Sequence, residues 1–589
     1  MPEYLSPGVY MEEVEIGGKP VEGVSTSTAG FLGETERGPT VPKLVTGWMD
    51  YNRVFGGYIG ADKYLPYAVQ GFFDNGGQRC YIGRIVKTNA QTASLKLTKD
   101  GANALTVDAA GEGSWGSRVA VKTAPGTFGG FKLSVFYWSE KPAALYDPDT
   151  DKTSKPRPVT VEVFDNLVVT ETHPDFYGKR VNGISNLVRL SVNTGDSGAA
   201  PGTEFPLTYL ADGVDSLVHA GTAVDGDPSG ITLADDASED DDEYNGLTVE
   251  ITGGTGAGQF RTITDYDGAG RAAVVDSDWE TEPDDTSVYR IIDPEPELVL
   301  ADYQRTDTNQ PGSRKGLTGF AEIDEISIVY SPNVLAVTGL AGALITHCET
   351  MKDRFAIIDA AQASANVSAL NPRSNNDTKY AAFYYPWIKV VDPGVGLVRT
   401  VPPGGHVAGV YARSDTERGV HKAPANETLR GVVDLEFQIT KGEQDILNPR
   451  GVNCIRAFPG RGIRVWGART LSSDALWKYV NVRRLFLFLE ESIEEGTQWV
   501  VFEPNDEKLW ARVKRTITEF LTRVWRDGAL MGTKPEEAFF VKADRTTMTQ
   551  DDIDNGRLIV LIGVAPVKPA EFVVFRIAQF TGGSDVSEI

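Results

Sequence analysis

The sequence predicts a multi-domain protein of mixed α/β and β class, with a C-terminal α/β core, β-rich outer domains and extended terminal arms. Three observations predict it. The chain has 589 residues, room for several domains of about 150 residues each. Its middle is written as short β runs divided by Gly, Asp and Pro, and its last third carries two long helical patterns. At 41% hydrophobic and 24% charged residues, it has the composition of a globular chain that buries several cores.

The elements follow in chain order. Residues 1–25 are punctuated by Pro and Gly around the β-type run Gly8, Val9, Tyr10, Met11, Glu12, Glu13, Val14, and read as an N-terminal extended arm. Residues 26–95 open with Thr28-Ala29-Gly30-Phe31-Leu32-Gly33, carry a strand-like run at 80–86, and read as the first part of the core. Residues 96–325 read as β-rich outer domains, with strands near 131–138 and 159–164. Within them an acidic β insertion is predicted at about 222–293, with its leader, 225–243, as a flexible junction. Residues 326–465 read as an α/β unit in which strands at 326–330 and 355–359 flank a helix over 334–350. In residues 466–565 the spacing predicts one helix over 474–495, capped by Ser472 or Ser473 and stopped by Gly496, and a second over 506–527. Pro566 and Pro569 break the chain before a C-terminal extended arm, 566–589.

Charge narrows the partners. The net charge is -25, yet residues 201–300 alone hold 24 acidic side chains against three arginines, so the remainder is almost neutral. Such a block repels phosphates, which argues against nucleic acid as a partner. Its carboxylates lack the alternating Asp/Asn spacing of a calcium loop. Three cysteines, Cys80, Cys348 and Cys454, are odd in number and widely spaced. They exclude a disulfide framework and fit a reducing cytoplasm. No run approaches the roughly 20 apolar residues of a membrane-spanning helix, so direct membrane insertion is not expected. The first residues show no basic region followed by an apolar run, so no secretory signal is read.

The search for chemistry returns little. No GxxxxGK[ST], HExxH or GxSxG occurs. Gly253-Gly254-Thr255-Gly256-Ala257-Gly258 has Gln259 and Arg261 where a third glycine would fall and leads into a strand-like run, so it reads as a turn. The histidines, His173, His219, His347, His406 and His421, are isolated, and His406 beside Gly404-Gly405 has no nucleophile turn near it. No catalytic, cofactor or metal residue is assigned, and the chain reads as no enzyme.

One stretch is far more specific. Gly460-Arg461-Gly462-Ile463-Arg464-Val465-Trp466-Gly467-Ala468-Arg469-Thr470-Leu471 precedes Tyr479-Val480-Asn481-Val482-Arg483-Arg484-Leu485, then Glu490-Glu491-Ser492-Ile493 and Phe502-Glu503-Pro504-Asn505-Asp506. Together with Ser6-Pro7-Gly8-Val9-Tyr10, Trp115-Gly116 and Phe572-Val573-Val574-Phe575-Arg576, these runs resemble the contractile tail sheath proteins of bacteriophages and related injection systems. The resemblance covers roughly residues 1–120 and 320–589. It implies a central domain of subtilisin-like fold without a catalytic triad. It also implies subunits that stack as hexameric rings around an inner tube and contract to drive that tube through a target envelope. The partners it implies are further copies of the chain, the inner tube protein, and baseplate and tail-terminator or cap proteins. It places synthesis in the bacterial cytoplasm and the product in a virion tail or contractile particle.

A contracting lattice needs contacts that slide and contacts that stay. Strand addition supplies the second kind, through main-chain hydrogen bonds and alternate apolar pockets. The inter-subunit candidates are Gly8, Val9, Tyr10, Met11, Glu12 and Val14 in the N-terminal arm. In the C-terminal arm they are Glu571, Phe572, Val573, Val574, Phe575, Arg576, Ile577 and Ala578. Lys508, Arg512, Lys514, Arg515, Arg523 and Arg526 on the second helix are the candidate inner-tube contact, since exposed ion pairs worth about 0–1 kcal/mol each suit a releasable grip. The competing readings are a β-rich surface or adhesion protein, a degenerate hydrolase, and, within the sheath class, a bacteriocin or injection-system sheath rather than a phage one.

Overall fold

Runs of apolar residues with no polar alternation are what a strand needs when both its faces are covered. Four such runs lie at the centre of the molecule: β1 (Ala29–Gly33), β4 (Ile328–Tyr330), β5 (Phe355–Asp359) and β6 (Ala381–Tyr385), every residue of them buried. With β2 (Lys43–Val45), β3 (Cys80–Arg84), β7 (Glu427–Thr428), β8 (Val452–Phe458) and β9 (Gly462–Val465) they form one nine-stranded sheet, ordered β2-β3-β1-β4-β5-β6-β8-β9-β7. Strands β3 through β8 in that order run parallel, and antiparallel strands close both edges. These features come from a computed structural model that describes residues 21–574 except 61, 307–309 and 333.

Alternation along β1 sets the layers. Phe31 packs edge-on against Phe72, centroids 5.3 Å apart, on helix α1 (Leu65–Asp74). A side chain on its neighbour Gly30 would point the other way, into Phe320 at 2.7 Å. Helix α3 (Gly404–Arg418) crosses α1 so closely that a Cβ on Gly405 would lie 2.4 Å from the Ala68 backbone. Helix α2 (Leu340–Met351) packs on β4 and β5.

Two further β bodies branch from this core. A four-stranded sheet (Thr208–Tyr209, Val119–Pro125, Phe131–Tyr137, Thr160–Leu167) and a three-stranded one (Ser94–Lys99, Ala102–Ala109, Val188–Ser191) share a core around Trp115, Phe131 and Tyr137. A seven-stranded sheet from Leu217–Thr222 to Val288–Ile292 closes over its own core of Val249, Ile251, Tyr266 and Tyr289. Gly254, Gly256 and Gly258, at φ 74, 78 and 92, make the expected turn in that body.

The C-terminal region adds helix α4 (Val480–Thr497), helix α5 (Glu507–Arg526) and a hairpin of β10 (Phe539–Lys542) and β11 (Leu561–Val564), joined in a core with Leu485, Ile517, Phe520 and Val541.

Four local expectations are corrected. The acidic leader 225–243 is no linker: Asp225–Asp227 and Gly230–Thr232 are strands, and Ile231, Leu233 and Ala237 are buried. Its apolar residues decide this, since Ile231, Leu233 and Ala237 fill the module's core. Helix α4 begins at Val480, because Thr470 pairs with Lys478 through the backbone and Ser473 donates to Asp377 instead of capping a helix at 474. Gly496 does not stop that helix. It lies inside it, where a Cβ would fall 2.6 Å from Val21. The short helices Leu300–Gln304 and Gly316–Phe320 leave the outer β region, because Tyr303, Leu317 and Phe320 bury in the core of the nine-stranded sheet.

Candidate functional site

Helix α5 is the most strongly amphipathic element of the C-terminal region. Asp506 caps it, its carboxylate accepting from the Leu509 N–H at 2.8 Å. Leu509, Val513, Ile517, Phe520, Leu521 and Val524 bury one face. At 100° per residue Lys508, Arg512, Arg515, Arg523 and Arg526 fall on a single stripe opposite, while Lys514 sits to one side. All six side chains are exposed. Glu519 interrupts the stripe, 4.0 Å from Arg515, and Arg512 lies over the Trp499 ring and 3.8 Å from Glu503. Arg523 differs from the rest, because it donates to the Val21 carbonyl at the root of the N-terminal arm.

Beside this stripe the loop between α4 and α5 presents Val501 and Phe502. Phe502 is 102% exposed and holds φ at 67°. A bulky residue in the left-handed region costs energy that solvent exposure does nothing to offset. The sequence marks this residue only as part of a family-like run.

Both arm roots are anchored by named bonds. On the N-terminal side Val21 is fully buried, the Val24 N–H donates to Ser492 Oγ at 3.1 Å, and Arg484 donates to the Thr26 carbonyl at 2.6 Å. Arg484 also grips Asp415 through both guanidinium nitrogens, at 3.0 and 2.6 Å, and Thr26 Oγ1 donates to the same carboxylate. Gly8, Val9, Tyr10, Met11, Glu12 and Val14 lie outside the described residues.

On the C-terminal side Glu571 is the centre of a clamp. Arg469 donates to both its oxygens, at 2.6 and 2.8 Å, Tyr479 at 2.9 Å and Asn448 at 3.0 Å, while the Lys478 ammonium sits 3.1 Å away. Burial opposes ionisation, but Arg469, Asn448 and Lys478 outweigh it and hold the carboxyl down at about 2. Asn453 on β8 aims Arg469 by bonding its backbone on both sides. Beyond the clamp Phe572, Val573 and Val574 are exposed and pair with no strand among the described residues. Phe575, Arg576, Ile577 and Ala578 lie outside the described residues.

Among the described residues hairpin β10–β11 has two strands, each with an outer edge that pairs with no strand, apart from the bridge of Leu530 with Pro566 just past β11. Val541 and Phe539 are buried on the α5 side, whereas Phe540 and Leu561 are about half exposed on the other.

His406 belongs to packing: it is buried against α1, and burial pushes its imidazole down to about 4.

Comparison with known proteins places this architecture. Residues 321–471 match the model of the phage tail sheath protein central domain, and residues 472–580 match that of the phage tail sheath C-terminal domain. Residues 321–580 thus match phage tail sheath domains. The tail sheath protein of Vibrio phage KVP40 is 26% identical over 270 residues, 45% of this chain and 38% of that one. The tail sheath protein of Escherichia phage P2 is 23% identical over 280 residues, 46% of this chain and 68% of its own length. This chain therefore spans well under half of the Vibrio phage protein. The contracted sheath of an extracellular contractile injection system shares the fold over 98% of this chain and 99% of its own, at TM-score 0.51 and 20% identity. No described helix is long and apolar enough to cross a membrane.

The clamp went unread in the sequence. Glu571 is predicted as an arm residue, but its partner Arg469 is 102 positions away. The available signal was Arg469 itself, the last of three arginines in the family-like run that begins at Gly460.

Proposed function

We propose that this chain is the subunit of a contractile tail sheath. It polymerises as stacked hexameric rings around an inner tube and shortens to drive that tube through a target envelope. The observation that carries the reading is the hairpin β10–β11, two-stranded among the described residues and set beside two anchored arm roots. A two-stranded sheet is marginal in water, and three or more strands over a hydrophobic face are stable. Arms from neighbouring copies complete it by strand addition, through Gly8 to Val14 on one side and Phe572 to Ala578 on the other. The fixed lattice is then made of main-chain hydrogen bonds, while subunit bodies rotate around the arms.

In this reading the α5 stripe faces the tube. Lys508, Arg512, Lys514, Arg515 and Arg526 give a forgiving attraction to an acidic surface, and Phe502 adds an apolar point at its edge. Arg523 serves the N-terminal root more than the tube. The seven-stranded acidic module and the sheets at 94–209 form the outer wall, residues 26–95 and 326–465 the scaffold, and residues 466–565 the lattice layer. Baseplate and cap proteins meet the ends of the polymer. The chain is a scaffold and performs no catalysis.

Electron microscopy of the purified, assembled protein tests this. Hollow cylinders of two diameters are expected, and a preparation that yields only dispersed monomers under polymerising conditions overturns the reading.

A further inference from the structure

Arms that join copies transmit the force of contraction, and where that force enters each subunit decides whether the subunit survives it. Without an anchor, a pull from the C-terminus would fall first on the backbone bonds behind the arm. These are Val567 to Ala529 at 3.1 Å, Ala565 to Ala538 at 2.8 Å, and then β11 itself. They would yield one at a time, as a zipper does. The Glu571 clamp lies outside them, toward the arm. A pull on residues 572 onward reaches its carboxylate first and loads Arg469, Lys478, Tyr479 and Asn448 together. Charge-assisted bonds to one carboxylate, bidentate in part, are the strongest polar contacts available to a side chain.

The clamp's partners lead to α4. Tyr479 occupies its N-cap position, and Lys478 precedes it. The N-terminal root reaches the same helix through Arg484 and Ser492. Helix α4 has 18 residues, about 27 Å of continuous hydrogen-bonded backbone. We infer that α4 with its lead-in is a tie rod joining the two arm roots, and that Glu571 is the pin fastening the C-terminal arm to it. Tension from one neighbour passes to the next along α4, and the hairpin that receives foreign strands is spared. The pin holds in mild acid, since its carboxyl stays ionised well below the usual range.

This rests on the arm-exchange reading, and the test separates the two. The full chain is tethered by its termini in an optical trap and pulled, parent against Glu571→Gln and Lys478→Met. The parent is expected to resist as one unit. Glu571→Gln should show an early, low-force step, about tenfold faster at fixed force, releasing about 3.5 Å per residue peeled behind the arm. Lys478→Met, which removes one contact of the clamp, should give about threefold and serves if Glu571→Gln misfolds. First-rupture forces equal to the parent in both variants overturn the pin. The trap needs no assembly, so it decides the pin even if truncation of the arm leaves polymerisation intact and arm exchange fails.

Discussion

The nine-stranded sheet and hairpin β10–β11 solve the same problem in opposite ways. The large sheet protects itself: its parallel centre is buried, and its edges are the short strands β2 and β7, of three and two residues, which offer little to pair with. The hairpin has the same kind of apolar inner face, Phe539 and Val541 over α5, but among the described residues its four-residue strands pair only with each other. An unpaired edge is a template for another chain. On the arm-exchange proposal the contrast separates what a subunit completes alone from what a neighbour completes, and it can be broken from either side.

The largest effect is expected from removing what the hairpin receives. Truncation after Pro569 should leave the nine-stranded sheet folded, with unchanged circular dichroism, and abolish cylinders entirely. Sedimentation and microscopy check this, and persistence of tubes would mean that the hairpin edges are closed otherwise.

Next comes the platform under the hairpin. Phe520 is 3% exposed and packs beside Phe488, centroids 5.9 Å apart. Phe520→Ala should cost about 3–5 kcal/mol in that core. Hydrogen exchange should show loosening of α5 and β10 with β4 to β6 unaffected.

How far these two regions were legible differs for a physical reason. Parallel strands announce themselves as apolar runs, so 326–330 and 355–359 were readable without neighbours. Helix α5 was readable to within one residue at each end because Asp506 caps it and its stripe repeats. The start of α4 was not, since Ser472 and Ser473 look like caps and only the long-range partner Asp377 diverts Ser473. The acidic leader misled because carboxylates dominate its composition, while the few apolar residues that fold it, Ile231, Leu233 and Ala237, are diluted among them.

The buried centre of the large sheet sets a pH dependence that the hairpin lacks. Asp359 on β5 accepts from Tyr330 Oη at 2.6 Å, and burial pushes its carboxyl up to about 7. A raised folded value means that its contribution is full below about pH 4 and is lost as pH rises through about 7. Asp359→Asn should remove that slope, gaining on the parent by about 1.4 kcal/mol per pH unit across the window. Denaturant melts of both proteins at about pH 5 and pH 7.5 measure it, and parallel curves would place the titration elsewhere.

A smaller effect is expected on the tube side. Reversing Arg512, Lys514 and Arg515 to Glu removes exposed attractions worth about 0–1 kcal/mol each. Polymer formation should persist while tube co-sedimentation weakens by about tenfold, more so at low salt. Unchanged co-sedimentation would remove α5 from the tube face.

The smallest effect should follow excision of the seven-stranded module. Its first and last strands are paired, Leu217 opposite Ile292, and the Asp293 N–H donates to the Ser216 carbonyl at 3.1 Å. The chain therefore leaves and re-enters the body at one point, the geometry in which an insertion comes out cleanly. Its core is its own, so little packing elsewhere is lost with it. Joining residue 216 to 293 removes 18 acidic side chains and three arginines. The remainder should keep its stability within about 0.5 kcal/mol and still form cylinders, with tighter lateral clustering as self-repulsion falls. Loss of cylinders would move the module from the outer wall into the lattice, and the division between self-completed and neighbour-completed parts would have to be redrawn around it.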